Sequence, residues 1–292
     1  MRAVLLAIAS FCLAALLLRA QNPKPNSSSD LNSTTWTDAD KARMAERVRR
    51  DFLHAWSGYK QYAWGHDELK PLSKSYRDWY STATHGKAAS AGDSDGTSLL
   101  MTSVDALDTM VLMGFNDEAR ADRELIDKQL SFDKDIYVKN FEITIRLLGG
   151  LLSSYQLTGD KRLLELADDL GTRLLPAFNS PTGMPYVMVN LKTGAVRGAE
   201  SNPAEIGSLL IEFGTLSKLT GNQVYYDKAK RALVAVYDRR SKIGLVGSGI
   251  NVVTRSVALS LSTPVTAPEP SCSTVPAGGF GVLALTFPSR SA

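Results

Sequence analysis

Residues 141–160, FEITIRLLGGLLSSYQLTGD, and residues 204–222, AEIGSLLIEFGTLSKLTGN, are two apolar helical runs that share one ending. Leu157-Thr158-Gly159-Asp160 returns as Leu219-Thr220-Gly221-Asn222, 62 positions further on. In each copy the glycine suits the left-handed backbone that stops a helix, and the Asp or Asn behind it suits the cap of the next. Each copy is followed by an amphipathic stretch, 160–175 and 223–237. Met113-Gly114-Phe115-Asn116 makes the same join earlier, between an apolar run at 97–114 and a polar helix at 117–130. The alternation predicts an all-α toroid of helix pairs, apolar helices inside and amphipathic helices outside. A bundle or a solenoid is the simpler alternative. Upstream, Asp38 is the expected N-cap of a helix running to about Trp56. Downstream, the Gly/Pro-rich stretch 176–199 interrupts the helices, and a short β-hairpin is expected around Met184–Leu191.

The chain has 292 residues, 44% of them hydrophobic and 22% charged, enough apolar material for a sizeable core. The net charge of +3 is spread along the chain without a basic stripe, which argues against a nucleic-acid partner. Of the two cysteines, Cys12 lies in the N-terminal apolar run and Cys272 near the other end, so no disulfide staples the region between them. Arg2 precedes the apolar run Val4–Leu18 and Arg19 follows it. Residues 1–20 therefore read as a signal peptide or a signal-anchor, with residues 4–18 as the membrane-anchoring segment in the second case. Residues 21–35, with acceptor triplets at Asn26 and Asn32, form a polar linker expected to be disordered. Residues 82–96 read as a surface loop, and from about Arg255 a Ser/Thr/Pro-rich tail shows no helical period.

Candidate chemistry gathers on the apolar runs. Glu142 and Arg146 are four apart and share a helix face. A structural ion pair explains that spacing; a carboxylic acid in a concave site, with Arg146 on a ligand oxygen, is the functional reading. A neighbouring guanidinium favours an ionised carboxylate, whereas a general acid must hold its proton. Glu205 follows Asn202-Pro203 and either complements the helix dipole or faces a cavity, with Glu212 seven residues further on. Asp105 and Asp108 either anchor a helix end or line a polar cavity. They also raise a metal site, but no third ligand is evident, so no metal ligand is assigned. Trp56, Tyr59, Tyr62 and Trp64 read mainly as core packing, with sugar stacking as the alternative. His54 and His66 read as structural.

Together the strings HAWSGYKQYAWGHDELKPLS, VDALDTMVLMG, FEITIRLLGGLLSSYQLTGD, LLPAFNSPTGMPY and AEIGSLLIEFGTLSKLTG resemble glycoside hydrolase family 47, the class I α-1,2-mannosidases. The resemblance runs from about Val48 to Asn251. It implies an (α/α)7 barrel, inversion at the anomeric carbon, a calcium ion, and high-mannose N-glycans of the endoplasmic reticulum or Golgi lumen as substrates. It implies that Glu142 protonates the departing glycosidic oxygen and that Arg146 and Glu205 line the sugar cavity. The strings that carry the family's other catalytic carboxylates and its calcium-binding threonine are not found after Asn251. The resemblance thus implies a partial barrel over residues 36–254, a non-family tail over 255–292, and no turnover by the chain as written. A non-hydrolytic glycan-binding or glycoprotein quality-control protein is the alternative.

Overall fold

The computed structural model describes residues 36–81, 96–254, 256–259 and 283–285. The expected signal segment, linker, most of the 82–96 loop and most of the tail lie outside the described residues. The chain divides after His54 into two units. Helix α1 (Asp38–Tyr62) carries it across the division. In the first unit the start of α1 is a reciprocal cap. Asp40 N–H donates to Thr37 Oγ1 at 3.2 Å, and Thr37 N–H donates to Asp40 Oδ2 at 3.1 Å. Thr37, not Asp38, is therefore the cap; the hydroxyl and the carboxylate three residues on satisfy each other's backbone donors.

In the second unit, α1 ends at Tyr62 and a two-stranded antiparallel ribbon follows, β1 (Glu68–Lys70) with β2 (Ser75–Arg77). Then come α2 (Met101–Met113) and α3 (Asn116–Gln129). Strand β3 (Tyr137–Lys139) runs directly into α4, built from Asn140–Ile143, a π-helical turn Thr144–Leu148, and Gly149–Thr158. Helix α5 (Lys161–Leu174) closes with a 3₁₀ turn, Leu175–Phe178. Strands β4 (Met188–Asn190), β5 (Val196–Arg197) and β6 (Glu200–Ser201) lead to α6 (Pro203–Gly207), α7 (Leu210–Thr220) and α8 (Gln223–Tyr237). Strands β7 (Gly249–Asn251), β8 (Val257–Leu259) and β9 (Leu283–Leu285) complete a four-stranded antiparallel sheet with β6.

The apolar helices α2, α4 and α7 pack side by side in that order, and α3, α5 and α8 each pack on the helix before them. This is the predicted alternation. Leu107, Met110, Leu147, Leu151, Phe213 and Leu216 are almost wholly buried along the row, each stabilising the fold by about 2 kcal/mol. Helix α4 approaches α2 closely at Gly150, where an added Cβ would stand 2.7 Å from the Val104 carbonyl oxygen. All three joints stop on a left-handed glycine, at φ 74° for Gly114, 71° for Gly159 and 78° for Gly221.

The hairpin is present and displaced. Met188 pairs with Arg197 and Val189 with Val196, while β3 adds to the other side of β4, Val138 opposite Val189. The expected window, Met184–Leu191, holds only the first strand, because the reversal is made by Asn190. Its side-chain oxygen accepts from Lys192 N–H at 3.0 Å and Thr193 N–H at 2.9 Å, an Asx turn that sequence periodicity does not register. The run at 203–219 is likewise interrupted, with α6 ending at Gly207 and α7 starting at Leu210.

Candidate active site

Strand β3 fixes where α4 begins. Asn140 N–H donates to the Val187 carbonyl at 2.9 Å, and Thr144 Oγ1 donates back to the Asn140 carbonyl at 2.8 Å. The π-helical turn begins at that threonine. Such a turn widens the i→i+4 ladder to i→i+5 and recurs at functional sites. It places Glu142 and Arg146 against α2 and the segment before residue 82.

Arg146 is the hub. Its Nε donates to Glu142 Oε2 at 3.1 Å, and its Nη1 donates to Asp105 Oδ2 at 3.3 Å. Its guanidinium carbon lies 5.1 Å from the centroid of the Trp79 ring, a cation–π distance. The side chains of Glu142 and Arg146 are 24% and 38% exposed, so the pair is in contact with solvent and not in a dry core. Burial raises the carboxyl pKa of Asp105, with Arg146 pulling the other way. Burial also works against the Arg146 charge. The two carboxylates more than offset it, and the guanidinium pKa rises above its ordinary value.

Glu205 occupies a different pair. Asn202 caps α6 by accepting from Ala204 N–H at 3.1 Å and Glu205 N–H at 3.0 Å, and Pro203 supplies the first helical turn. Glu205 Oε1 then meets Lys139 Nζ at 2.6 Å. Lys139 is the last residue of β3, three before Glu142, and its N–H donates to Tyr80 Oη at 3.2 Å. Burial pushes the Tyr80 phenol up to about 12, with the charge of Glu142 adding to the rise. Of the three expected site residues, the structure joins Glu142 and Arg146 directly and holds Glu205 in a separate pair with Lys139.

The two aspartates of α2 separate in role. Asp105 holds Arg146, whereas Asp108 accepts from Ser153 Oγ at 2.7 Å and ties α2 to α4. Glu212 lies over Gly149, where an added Cβ would stand 3.6 Å from Glu212 Cγ. Its Oε2 is buried without a hydrogen-bond partner, and burial raises its pKa. Trp56 and Tyr59 are buried and stacked 5.2 Å apart, the packing role expected of them. His66 Nδ1 lies 3.0 Å from Asp78 Oδ2, a structural contact. Among the described residues no three His, Cys, Asp or Glu side chains converge to hold a metal. Trp79 and Tyr80 were not legible as site residues. They precede a low-complexity stretch, lie on no periodic element, and reach the site only through the fold.

The family model of glycosyl hydrolase family 47 matches residues 51–270, past the boundary expected at residue 254. The human "Endoplasmic reticulum mannosyl-oligosaccharide 1,2-alpha-mannosidase" is 41% identical over 205 residues, 68% of this chain and 27% of that protein. "Alpha-mannosidase I MNS5" of Arabidopsis thaliana is 38% identical over 235 residues, 76% of this chain and 41% of that one. The chain thus spans roughly a quarter to two fifths of the curated relatives it matches. Among solved structures, an α-1,2-mannosidase from Trichoderma reesei superposes with a TM-score of 0.62 at 27% identity, over 74% of this chain and 46% of that one. The paired helices α2 to α8 are accordingly those of an (α/α)7 barrel. No helix of the described residues is long and apolar enough to cross a membrane. By sequence, by helix order and by the family match over residues 51–270, the chain belongs to glycosyl hydrolase family 47.

Proposed function

We propose that the Glu142–Arg146 site serves the removal of terminal α-1,2-linked mannose from high-mannose N-glycans in the lumen of the secretory pathway, at the endoplasmic reticulum or Golgi. The single observation that carries this reading is the sharing of Arg146 between Glu142 and Asp105. A guanidinium held by two carboxylates still offers free N–H groups to sugar hydroxyls. By the family resemblance Glu142, which accepts from Arg146 Nε, is the proton donor to a departing glycosidic oxygen. Trp79 covers the same guanidinium and offers a ring edge to a sugar. Glu205, held at the start of α6, orients a second set of hydroxyls with Lys139.

Inverting hydrolysis needs a second carboxylate about 6.5–9.5 Å from the first, on the opposite face of the sugar, to activate water. Among the described residues no carboxylate is assigned that role. Among the described residues no group of three His, Cys, Asp or Glu side chains could hold the calcium ion that the family resemblance implies. On this proposal residues 1–20 are a signal peptide or signal-anchor, 21–35 a linker, 36–254 a partial mannosidase barrel and 255–292 a non-family tail.

The test uses the full chain with a high-mannose glycan and calcium, reading released mannose and, in parallel, the binding of α-1,2-mannobiose. Mannobiose binding that Arg146→Ala weakens, with no mannose released by the chain as written, is the expected result. Equal mannobiose binding by the wild type and Arg146→Ala would overturn the assignment of the sugar site.

A further inference from the structure

We propose that Asp67 is a positioning residue of the Glu142–Arg146 site, its one carboxylate fixing both the start of α2 and the backbone of Trp79. These are the two structures between which Arg146 lies: Asp105 on α2 binds its Nη1, and the Trp79 ring faces its guanidinium.

The first turn of α2 has no local cap. Leu100, at its N-cap position, stands in left-handed backbone at φ 54° and makes no side-chain cap hydrogen bond, a conformation disfavoured for any residue with a Cβ. Asp67 supplies the missing acceptors from a distant loop. Its Oδ1 accepts from Leu99 N–H at 2.6 Å, Met101 N–H at 3.2 Å and Ser98 Oγ at 3.3 Å. Its backbone carbonyl accepts from Thr102 N–H at 3.1 Å. The other carboxylate oxygen, Oδ2, accepts from Trp79 N–H at 3.0 Å. Asp67 is itself 1% exposed and is held in turn, its N–H donating to Asp78 Oδ1 at 2.9 Å. A buried carboxylate with both oxygens engaged is held in place, and so is the backbone it engages. Asp105 lies one helical turn beyond Met101, so a change at Asp67 reaches Arg146 from both sides.

The sugar half of this claim rests on the mannosidase reading; the geometric half does not, and the experiment separates them. In the full chain, NMR would follow the Trp79 indole N–H resonance, identified by its loss in Trp79→Phe. Asp67→Asn keeps one acceptor oxygen and turns the other into a donor facing the Trp79 or α2 amides. Its indole resonance is expected to move in the direction seen in Arg146→Ala, and its Kd for α-1,2-mannobiose to rise about tenfold. Thr102→Val removes a different hydrogen bond of the same cap, from Thr102 Oγ1 to the Asp67 carbonyl at 2.7 Å. It is expected to lower Tm while leaving the indole resonance in place, which a purely structural role for Asp67 would also do. An unmoved indole resonance in Asp67→Asn overturns the proposal. If that variant does not fold, Asp67→Glu takes its place under the same two outcomes. A moved resonance in a protein whose wild type binds no mannobiose upholds the positioning role and sinks the sugar reading instead.

Discussion

The two helix pairs α4–α5 and α7–α8 end alike and begin differently. At the shared end the match extends to hydrogen bonds. Thr158 Oγ1 donates to the Ser154 carbonyl at 2.7 Å, and Thr220 Oγ1 donates to the Leu216 carbonyl at 2.8 Å. Asp160 accepts from Arg162 N–H at 3.1 Å, and Asn222 accepts from Val224 N–H at 3.2 Å. At the other end, α4 departs from α geometry through Thr144–Leu148, and the α6–α7 run breaks between Gly207 and Leu210. Glu142 and Arg146 stand at the first irregularity and Glu205 at the second. The joints join successive helices of the barrel, and the irregular beginnings carry the groups proposed to face a sugar.

This contrast predicts a graded set of effects. The largest belongs to a beginning. Whatever mannose release is measured should fall by about 10²–10⁴-fold in Glu142→Gln while the thermal melt stays within a few degrees of wild type. An equal loss of stability would move Glu142 to the structural side of the comparison. Next comes the interior of the two helices. Gly150→Ala should cost about 2–3 kcal/mol in urea unfolding, because its Cβ meets the Val104 carbonyl backbone at 2.7 Å and α2 must give way. Gly214→Ala, whose Cβ would find nothing closer than Tyr226 Cδ2 at 3.7 Å, should be neutral or stabilise by up to about 1 kcal/mol.

The joints should then behave as equals. Gly159→Ala and Gly221→Ala should each cost about 1 kcal/mol, since no atom lies within 4 Å of either added Cβ and only the left-handed backbone is strained. Costs differing by more than about twofold would show that the joints are alike in sequence only. The smallest pair is Asp160→Ala and Asn222→Ala, each expected to cost up to about 1 kcal/mol by loss of the cap. Circular-dichroism melts of the two variants would measure it.

The same division separates what the sequence made legible from what it did not. The joints were readable because glycine and the capping residue act on their immediate neighbours, and Leu-Thr-Gly-Asp means the same thing wherever it occurs. The pairing of Glu142 with Arg146 was readable from a spacing of four, and it survives the π-helical turn because the two residues straddle its start. Asp105 was readable as a helix anchor or a cavity wall, but its bond to Arg146 was not, since a helix face does not reveal what stands opposite. The pairing of Glu205 with Lys139 was not readable. It joins the end of β3 to the start of α6, and tertiary packing alone sets that distance. Asp67 was quoted within an aromatic string without a role, because an acceptor that caps a helix more than thirty residues away leaves no local periodicity. The cap of α1 was misplaced by one residue, for Thr37 and Asp38 are both good capping types and only the reciprocal bond from Asp40 distinguishes them.

The π-helical turn at Thr144–Leu148 also bears on how this segment tolerates a change of length. Such a turn accommodates one residue beyond the α repeat, so substitutions within it alter side chains but leave the extra residue in place. Deleting one residue between Thr144 and Leu148 would restore a regular helix. It would rotate everything upstream by about 100° relative to Ser153 and the tie to Asp108. Glu142 would then leave the side of the helix that Asp105 faces. In this stretch, the number of residues governs the aim of the carboxyl group as firmly as their identity does.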